Sequence, residues 1–178
     1  GIKSDPVEYR YSYEWLFRFM HRKELKFLQL GSFFELYHLP DTFFTELRDT
    51  ASAYGVRIKS CFTAHRELGG FFTGNHHLES VARRCYERFI EVASLVGADY
   101  VGSNPGAVYR DNGRYKISGI ACYARHMNEL SRIAGDLGLS GLTLEPMSSL
   151  FEPPTTPDEI TSMIAACWVD RTAGVPVY

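Results

Sequence analysis

The sequence predicts an α/β fold in which parallel strands close into a (β/α) barrel, and two observations support this prediction. Short apolar runs alternate with longer segments in which apolar residues recur every three or four positions. Strands separated by helices of ten or more residues form right-handed βαβ units, whose strands lie parallel. No segment matches GxGxxG or GxxxxGK(S/T), so the phosphate loops of the common doubly wound folds are missing. The remaining closure is a (β/α) barrel, which gathers its active site where the strands end.

The first half of the chain contains two predicted strands and three predicted helices. In order, these elements are helix Tyr11–Arg22, strand Lys26–Phe33, helix Leu39–Gly55, strand Val56–Thr63 and helix Leu78–Val96. Asp41 follows a proline and is the predicted N-cap of the second helix, and Gly55 is its predicted C-terminal stop. The strand from Val56 to Thr63 alternates between apolar and polar residues, as a half-buried strand does.

The second half repeats this pattern twice. Its predicted elements are a short strand in Gly97–Gly106 that ends at Asn104, helix Ile117–Gly138, strand Leu139–Met147 and helix Thr156–Trp168. Thr156 is the predicted N-cap of the last helix, because Pro157 suits the first helical position and two acidic residues follow it.

Composition and charge narrow the functional class. The 178 residues are 45% hydrophobic and 22% charged, which is typical of a folded domain. A net charge of −2 provides no global attraction to nucleic acid or to an anionic membrane. No apolar run approaches the ~20 residues of a membrane span, and the N-terminal stretch lacks the layout of a signal peptide. Four widely spaced cysteines predict buried free thiols, so we expect a cytoplasmic protein.

The length predicts an incomplete barrel. A (β/α)8 TIM barrel needs eight strands and usually ~250 residues, whereas this chain has four complete predicted strands and a fragment at each end. The first residues, "GIKSDP", resemble the tail of a strand, and "VPVY" resembles the beginning of another. We therefore expect residues 1–178 to form a single (β/α) barrel domain that is truncated at both ends.

Polar residues follow three of the predicted strands. Glu145 ends the apolar run "GLTL", His65 follows the strand Val56–Thr63, and Asn104 ends the next strand. Taken alone, a glutamate at such a place is more often a solvated loop residue. In a barrel, however, all three side chains would reach the mouth, where they could bind a polar ligand. A structural or surface role for His65 is an equal alternative.

Other polar residues carry weaker predictions. His76 and His77 are adjacent and therefore do not share a helix face, so we expect them to open the helix at Leu78 rather than to bind a metal. Arg66 and Arg110 lie in predicted mouth loops and are candidate contacts for a phosphate.

Three stretches carry a resemblance to a known superfamily. "VRIKSCFTAH", "GADYVGSNPG" and above all "LSGLTLEPMSSLFEPPTTPDE" resemble the sugar isomerase and epimerase superfamily, the xylose-isomerase-like TIM barrels. This group includes ketose 3-epimerases and sugar-phosphate isomerases. The resemblance spans most of the chain in order, and its most specific part is the glutamate-proline pair at the end of the fifth strand.

The resemblance implies a metal-dependent isomerase or epimerase acting on a ketose or sugar phosphate. It makes Glu145 both a ligand of a divalent metal (Mn, Mg, Co or Zn) and an acid/base catalyst. Glu152 resembles a substrate-contacting glutamate of the epimerases, at a spacing one residue longer. The family's later aspartate, histidine and glutamate ligands would lie beyond Tyr178. A small sugar or sugar phosphate is then the expected partner, and His65 and Asn104 would bind its hydroxyls. The resemblance also allows a homo-oligomer, because exposed helices on this barrel commonly pair.

Two alternatives stay open. Apurinic endonuclease-like enzymes share the barrel and carry "HPG" after the fourth strand, but this chain has "NPG", and Asn104 is a poor zinc ligand. The negative net charge also disfavours DNA. The other alternative is a barrel that binds a sugar without catalysis, since one fold hosts many chemistries.

Overall fold

Five parallel strands form one sheet in the computed structural model, which describes residues 1–7, 10–31, 34–63 and 66–178. The strands are β1 (Ile2–Lys3), β2 (Phe27–Gly31), β3 (Arg57–Thr63), β4 (Tyr100–Ser103) and β5 (Gly141–Leu144). They lie side by side in the order of the chain, and every neighbouring pair is parallel. Because the order never reverses, the sheet lacks the switch point of a doubly wound fold and has the sequential arrangement of a (β/α) barrel.

The ends of the sheet match the predicted fragments. The first strand contributes only two residues, and Val177 forms an isolated parallel bridge with Leu142 of β5. Between them lie the four longer strands that the sequence predicted. The α/β fold class and the incomplete barrel are therefore confirmed.

Five helices alternate with the strands. They are α1 (Tyr13–Arg22), α2 (Asp41–Ala53), α3 (His76–Leu95), α4 (Lys116–Asp136) and α5 (Pro157–Cys167). Each helix packs against the next one along the chain, and three short 3₁₀ segments, Phe34–Tyr37, Arg66–Phe72 and Arg110–Tyr115, lie in the connections. Within the described ranges, no helix combines the length and apolarity needed to cross a bilayer.

The two faces of the sheet differ in character. One face packs against the helices, and its side chains are almost completely buried: Leu28, Leu30, Ile58, Cys61, Val101 and Leu142. The opposite face carries half-buried and more polar side chains, among them Gln29, Ser60, Tyr100 and Thr143. The amide of Gln29 donates to the Ser60 hydroxyl across β2 and β3 at 3.1 Å. The apolar core thus lies between sheet and helices, and the polar face corresponds to the inside of a barrel.

A bulge interrupts the alternation predicted for Val56–Thr63. Leu28 pairs with Ile58, but Gln29 pairs with Ser60, so the register shifts by one residue and β3 gains the unpaired Lys59. The extra residue allows Ile58 and Cys61, three positions apart, both to face the helices. The strict alternation that the sequence suggested is therefore wrong at this point.

The prediction for the N-cap of α2 is also wrong by one residue. The N-cap is Pro40, which has extended backbone angles and makes no side-chain capping hydrogen bond. Asp41 instead occupies the first helical position, where its carboxylate pairs with Arg88 of α3 at 2.8 Å. A carboxylate in the first turn still interacts favourably with the helix dipole, and here it also joins two helices.

The starts of α3 and α5 follow the expected capping chemistry. The helix α3 begins at His76 rather than Leu78, because the side chain of Asn75 accepts hydrogen bonds from the next turn and caps the helix earlier. Thr156 caps α5 as predicted, with its hydroxyl accepting from the Glu159 amide at 3.2 Å.

Candidate active site at the carboxyl edge of the sheet

The candidate site lies where β4 and β5 end. Ser103 and Leu144, the last residues of these strands, are register partners. The main-chain amide of Glu145 donates to the carbonyl oxygen of Ser103 at 3.2 Å, which continues the ladder by one step. Asn104 and Glu145 are therefore neighbours that leave the same edge of the sheet, as the strand-end prediction requires.

The side chains of these two residues are available to a ligand. Glu145 is exposed and Asn104 is half-buried. Within the part of the chain that the structure describes, neither side chain makes a hydrogen bond or ion pair. An amide can both donate to and accept from a hydroxyl, and a carboxylate accepts hydrogen bonds, binds cations and exchanges protons. The edge thus offers a polar pair suited to a hydroxylated ligand.

Glu152 belongs to the loop that joins β5 to α5. The loop folds back on itself, because the Met147 amide donates to the Pro154 carbonyl at 3.1 Å and the Glu152 amide donates to Ser149 at 2.8 Å. Its middle is fastened to the preceding loop, where the Val108 amide donates to the Phe151 carbonyl at 2.8 Å. Glu152 is half-buried in this loop, which begins with Glu145 at the carboxyl edge of the sheet.

The other candidate residues from the sequence lie elsewhere in the structure or outside its described part. His65 lies outside the described residues, as does the side chain of Arg66. The guanidinium of Arg110 lies 5.6 Å from the centroid of the Phe151 ring, in the same pair of joined loops. His76 and His77 form the exposed first turn of α3, with ring centroids 3.8 Å apart.

A second cluster of polar side chains joins α3 to α4. Glu79, Cys122 and His126 each place a ligand atom within 4.8 Å of the others, and they are the one such group of three among the described residues. Glu145 is not part of this group. The sequence did not single out this cluster, since 43 or more residues separate Glu79 from its partners.

Arginine side chains, rather than a metal ion, fit this second cluster. Arg125 donates to Glu79 Oε1 at 2.8 Å, and Arg83 Nη1 lies 3.2 Å from His126 Nδ1. Because arginine has only donors, Nδ1 accepts, and Nε2 of His126 carries the hydrogen that it donates to Glu79 at 2.8 Å. A metal held together with Glu79 and Cys122 would bind Nε2, and Nδ1 would then carry the hydrogen and need an acceptor, whereas the group that faces Nδ1 is the donor Arg83. The cluster is an ion-pair clamp between two helices.

The ionisation of the clamp agrees with this assignment. The hydrogen bond between Glu79 and His126 is the main cause that lowers the pKa of Glu79, and the hydrogen bond with Arg125 lowers it as well. Burial raises the pKa of the Cys122 thiol, which keeps it protonated and a poor metal ligand. His126 is only 7% exposed and its ring lies 4.6 Å from that of Phe71, so the clamp is packed as well as charged.

At the ends of β4 and β5, the carboxylate of Glu145 is the candidate ligand for a metal. Its oxygen is a suitable ligand for Mg²⁺ or Mn²⁺ and an acceptable one for Zn²⁺. The exposed position leaves the remaining coordination sites to other groups. The donor therefore fits a divalent cation, as one member of a larger ligand set.

The sequence analysis did not identify two buried residues near the candidate site, Ser103 and Tyr86. Ser103 is fully buried at the end of β4, and its hydroxyl lies 3.1 Å from that of the equally buried Tyr86 in α3. A signal was present, because Ser103 alternates with Val101 on the apolar face, where a hydroxyl requires a partner. The partner itself, 17 residues earlier, could not be identified from the sequence.

Comparison with solved structures shows which fold this is. A xylose isomerase-like protein from Rhodospirillum rubrum matches with a TM-score of 0.88 at 18% sequence identity, over 99% of this chain and 63% of that chain. A D-psicose 3-epimerase from Clostridium cellulolyticum with D-tagatose matches at 0.80 and 16% identity, over 99% of this chain and 61% of the other. Another D-psicose 3-epimerase, solved in the presence of D-fructose, gives 0.78 at 12% identity, over 99% and 62% of the two chains.

These similarities establish the fold and not the activity. The predicted resemblance to the xylose-isomerase-like TIM barrels is confirmed at that level. The chain spans less than two thirds of each of these three structures. No family model matches the chain, and no curated protein matches it significantly.

Proposed function

We propose that this chain, whose fold is that of the xylose-isomerase-like barrels, belongs to a sugar isomerase or epimerase that acts on a ketose or a sugar phosphate. The observation that supports the proposal most directly is the place of Glu145. Glu145 leaves the carboxyl edge of the sheet beside Asn104. Its side chain is exposed and has no hydrogen-bond or ion-pair partner among the described residues. Active sites of (β/α) barrels are built at this edge.

The proposed reaction moves a proton at the carbon next to the sugar carbonyl. Glu145 takes the proton, the electron pair of the C–H bond moves towards the carbonyl oxygen as an enediolate forms, and a carboxylic acid then returns a proton. A divalent metal, when bound, stabilises the negative charge that develops on the sugar oxygens. Asn104 and Glu152 are proposed to bind sugar hydroxyls, together with His65.

In this proposal Glu145 is also one ligand of the divalent metal. The resemblance puts the remaining aspartate, histidine and glutamate ligands beyond Tyr178, so the proposal requires them from polypeptide that completes the barrel. We further propose that residues 1–178 form one barrel domain of a cytoplasmic protein, with no role for nucleic acid or membrane. A homo-oligomer also remains a prediction.

The proposal is tested by replacing Glu145 in the full polypeptide that carries this chain. E145Q keeps the size of the side chain but removes both its charge and its basicity. We expect it to lower turnover of a ketohexose at saturating Mn²⁺ by at least about 100-fold, the lower end of what general acid–base groups contribute. Mn²⁺ affinity, measured by calorimetry, should fall as well.

E46Q is the matched control, because Glu46 is exposed on α2 and its side chain has no ion pair with any described residue. It should leave turnover and Mn²⁺ affinity unchanged. Full activity in E145Q would end the assignment of Glu145. A wild-type protein that binds ketoses without converting any of them would instead support the non-catalytic alternative.

A further inference from the structure

Two buried hydroxyl groups connect α3 to the end of β4, where the candidate site lies. The hydroxyl of Ser103 donates to the carbonyl oxygen of Asn104 at 2.8 Å. The phenolic oxygen of Tyr86 lies 3.1 Å from the same Ser103 oxygen. A serine hydroxyl has a single hydrogen, so Ser103 must accept from Tyr86, and the direction of both hydrogen bonds is fixed.

Ser103 also touches the second candidate residue. Its carbonyl oxygen accepts the Glu145 amide at 3.2 Å. The side chain of Ser103 therefore fixes the main chain of Asn104, while its own main chain fixes that of Glu145. One buried residue links the two polar side chains proposed to meet the sugar.

The surroundings make this link rigid. Both Tyr86 and Ser103 are 0% exposed, so water cannot replace a lost hydrogen bond. Burial raises the pKa of Tyr86 to about 12, which keeps its hydroxyl protonated as the donor at the head of the chain. Hydrogen bonds in such a setting hold the geometry of their acceptors strongly.

We propose that Ser103 and Tyr86 are positioning residues of the proposed active site, which set the geometry of Asn104 and Glu145 from behind the sheet. This rests on the function proposed above. Neither residue reaches the substrate face, so they act through the main chain of their neighbours. Correctly oriented groups lower the barrier of a reaction, and small misplacements raise it.

The test compares S103A and Y86F, each of which removes one hydroxyl group, with S131A. Ser131 is also buried, in α4, and its hydroxyl donates to the Asn128 carbonyl of the same helix at 3.0 Å, so S131A controls for the loss of a buried hydrogen-bonded hydroxyl. Each variant of the full polypeptide is assayed for kcat and KM on the ketose that the wild type converts. Amide hydrogen exchange at Glu145 is followed by NMR in the same samples.

We expect S103A and Y86F to lower kcat and to speed exchange at Glu145 by about five-fold, the factor that one lost hydrogen bond allows. KM should rise as well, because the same residues position Asn104, whose side chain is proposed to bind a sugar hydroxyl. S131A should change none of these quantities. If S103A and Y86F behave like S131A in every measurement, the positioning role is overturned.

The two proposals fail in distinguishable ways. A wild type without activity on any ketose would overturn the proposed function, and hydrogen exchange at Glu145 would still decide whether Ser103 and Tyr86 hold the edge. An active wild type with unaltered S103A and Y86F would overturn only the positioning role.

Discussion

We predict that alanine destabilises the protein at Gly119 and stabilises it at Gly135, although both glycines lie in α4. A Cβ added at Gly119 would lie 2.6 Å from Cδ1 and 3.1 Å from Cα of Phe72, and Phe72 is completely buried, so it has no room to move. Replacing a helical glycine by alanine gains up to ~1 kcal/mol, but overpacking a core typically costs ~1–3 kcal/mol. We expect G119A to lower the free energy of unfolding by up to about 2 kcal/mol, the overpacking cost less the gain in helix propensity.

Gly135 provides the matched control in the same helix. Its nearest neighbours would lie 3.5 Å from an added Cβ, which is ordinary contact, so G135A should raise stability by roughly 0.5–1 kcal/mol. Urea denaturation followed by tryptophan fluorescence measures both changes. A G119A protein at least as stable as the wild type would refute the close packing of α4 against the segment before α3.

Two further predictions concern titratable groups. The pKa of Glu79 is lower in the folded chain, so its ionised form contributes stability at neutral pH that is lost as the pH falls through the folded value. E79Q should therefore be less stable than the wild type at neutral pH, and urea titrations at descending pH should show the two proteins converging. Burial raises the pKa of Cys167 to about 12 and that of the fully buried Cys61 even further above its usual value. Both thiols should resist iodoacetamide in the folded protein and react after unfolding, and mass spectrometry showing rapid native labelling at either one would contradict their burial.

The general architecture could be predicted from the sequence because it depends on local patterns. The order of strands and helices follows from apolar periodicity and from turn residues such as Gly55, which has the left-handed backbone (φ 69°) expected of a helix stop. The adjacency of Asn104 and Glu145 followed from the rule that parallel strands end at one edge. Neither inference needed knowledge of a distant contact.

Three of the details that escaped prediction depend on distant partners. Asp41 was expected to cap α2, but aspartate is favoured both at the N-cap and in the first turn of a helix. The ion pair that Asp41 makes in the first turn is with Arg88 of α3, which is distant in sequence. The bulge at Lys59 is a shift in the register between β2 and β3, and the residue pattern of one strand alone cannot reveal it. The link between Tyr86 and Ser103 likewise requires α3 to be placed on β4 before the two hydroxyls can be paired.

The measurement that tests the central claim most directly is hydrogen exchange into a sugar. The full polypeptide is incubated with Mn²⁺ and individual ketohexoses in D₂O, and NMR follows the C–H signals next to the carbonyl. We predict that the wild type and E46Q replace one of these hydrogens by deuterium, whereas E145Q leaves it in place. Exchange by E145Q at the wild-type rate, or no exchange by the wild type with any ketose, would contradict the proposal that Glu145 moves a proton beside a sugar carbonyl.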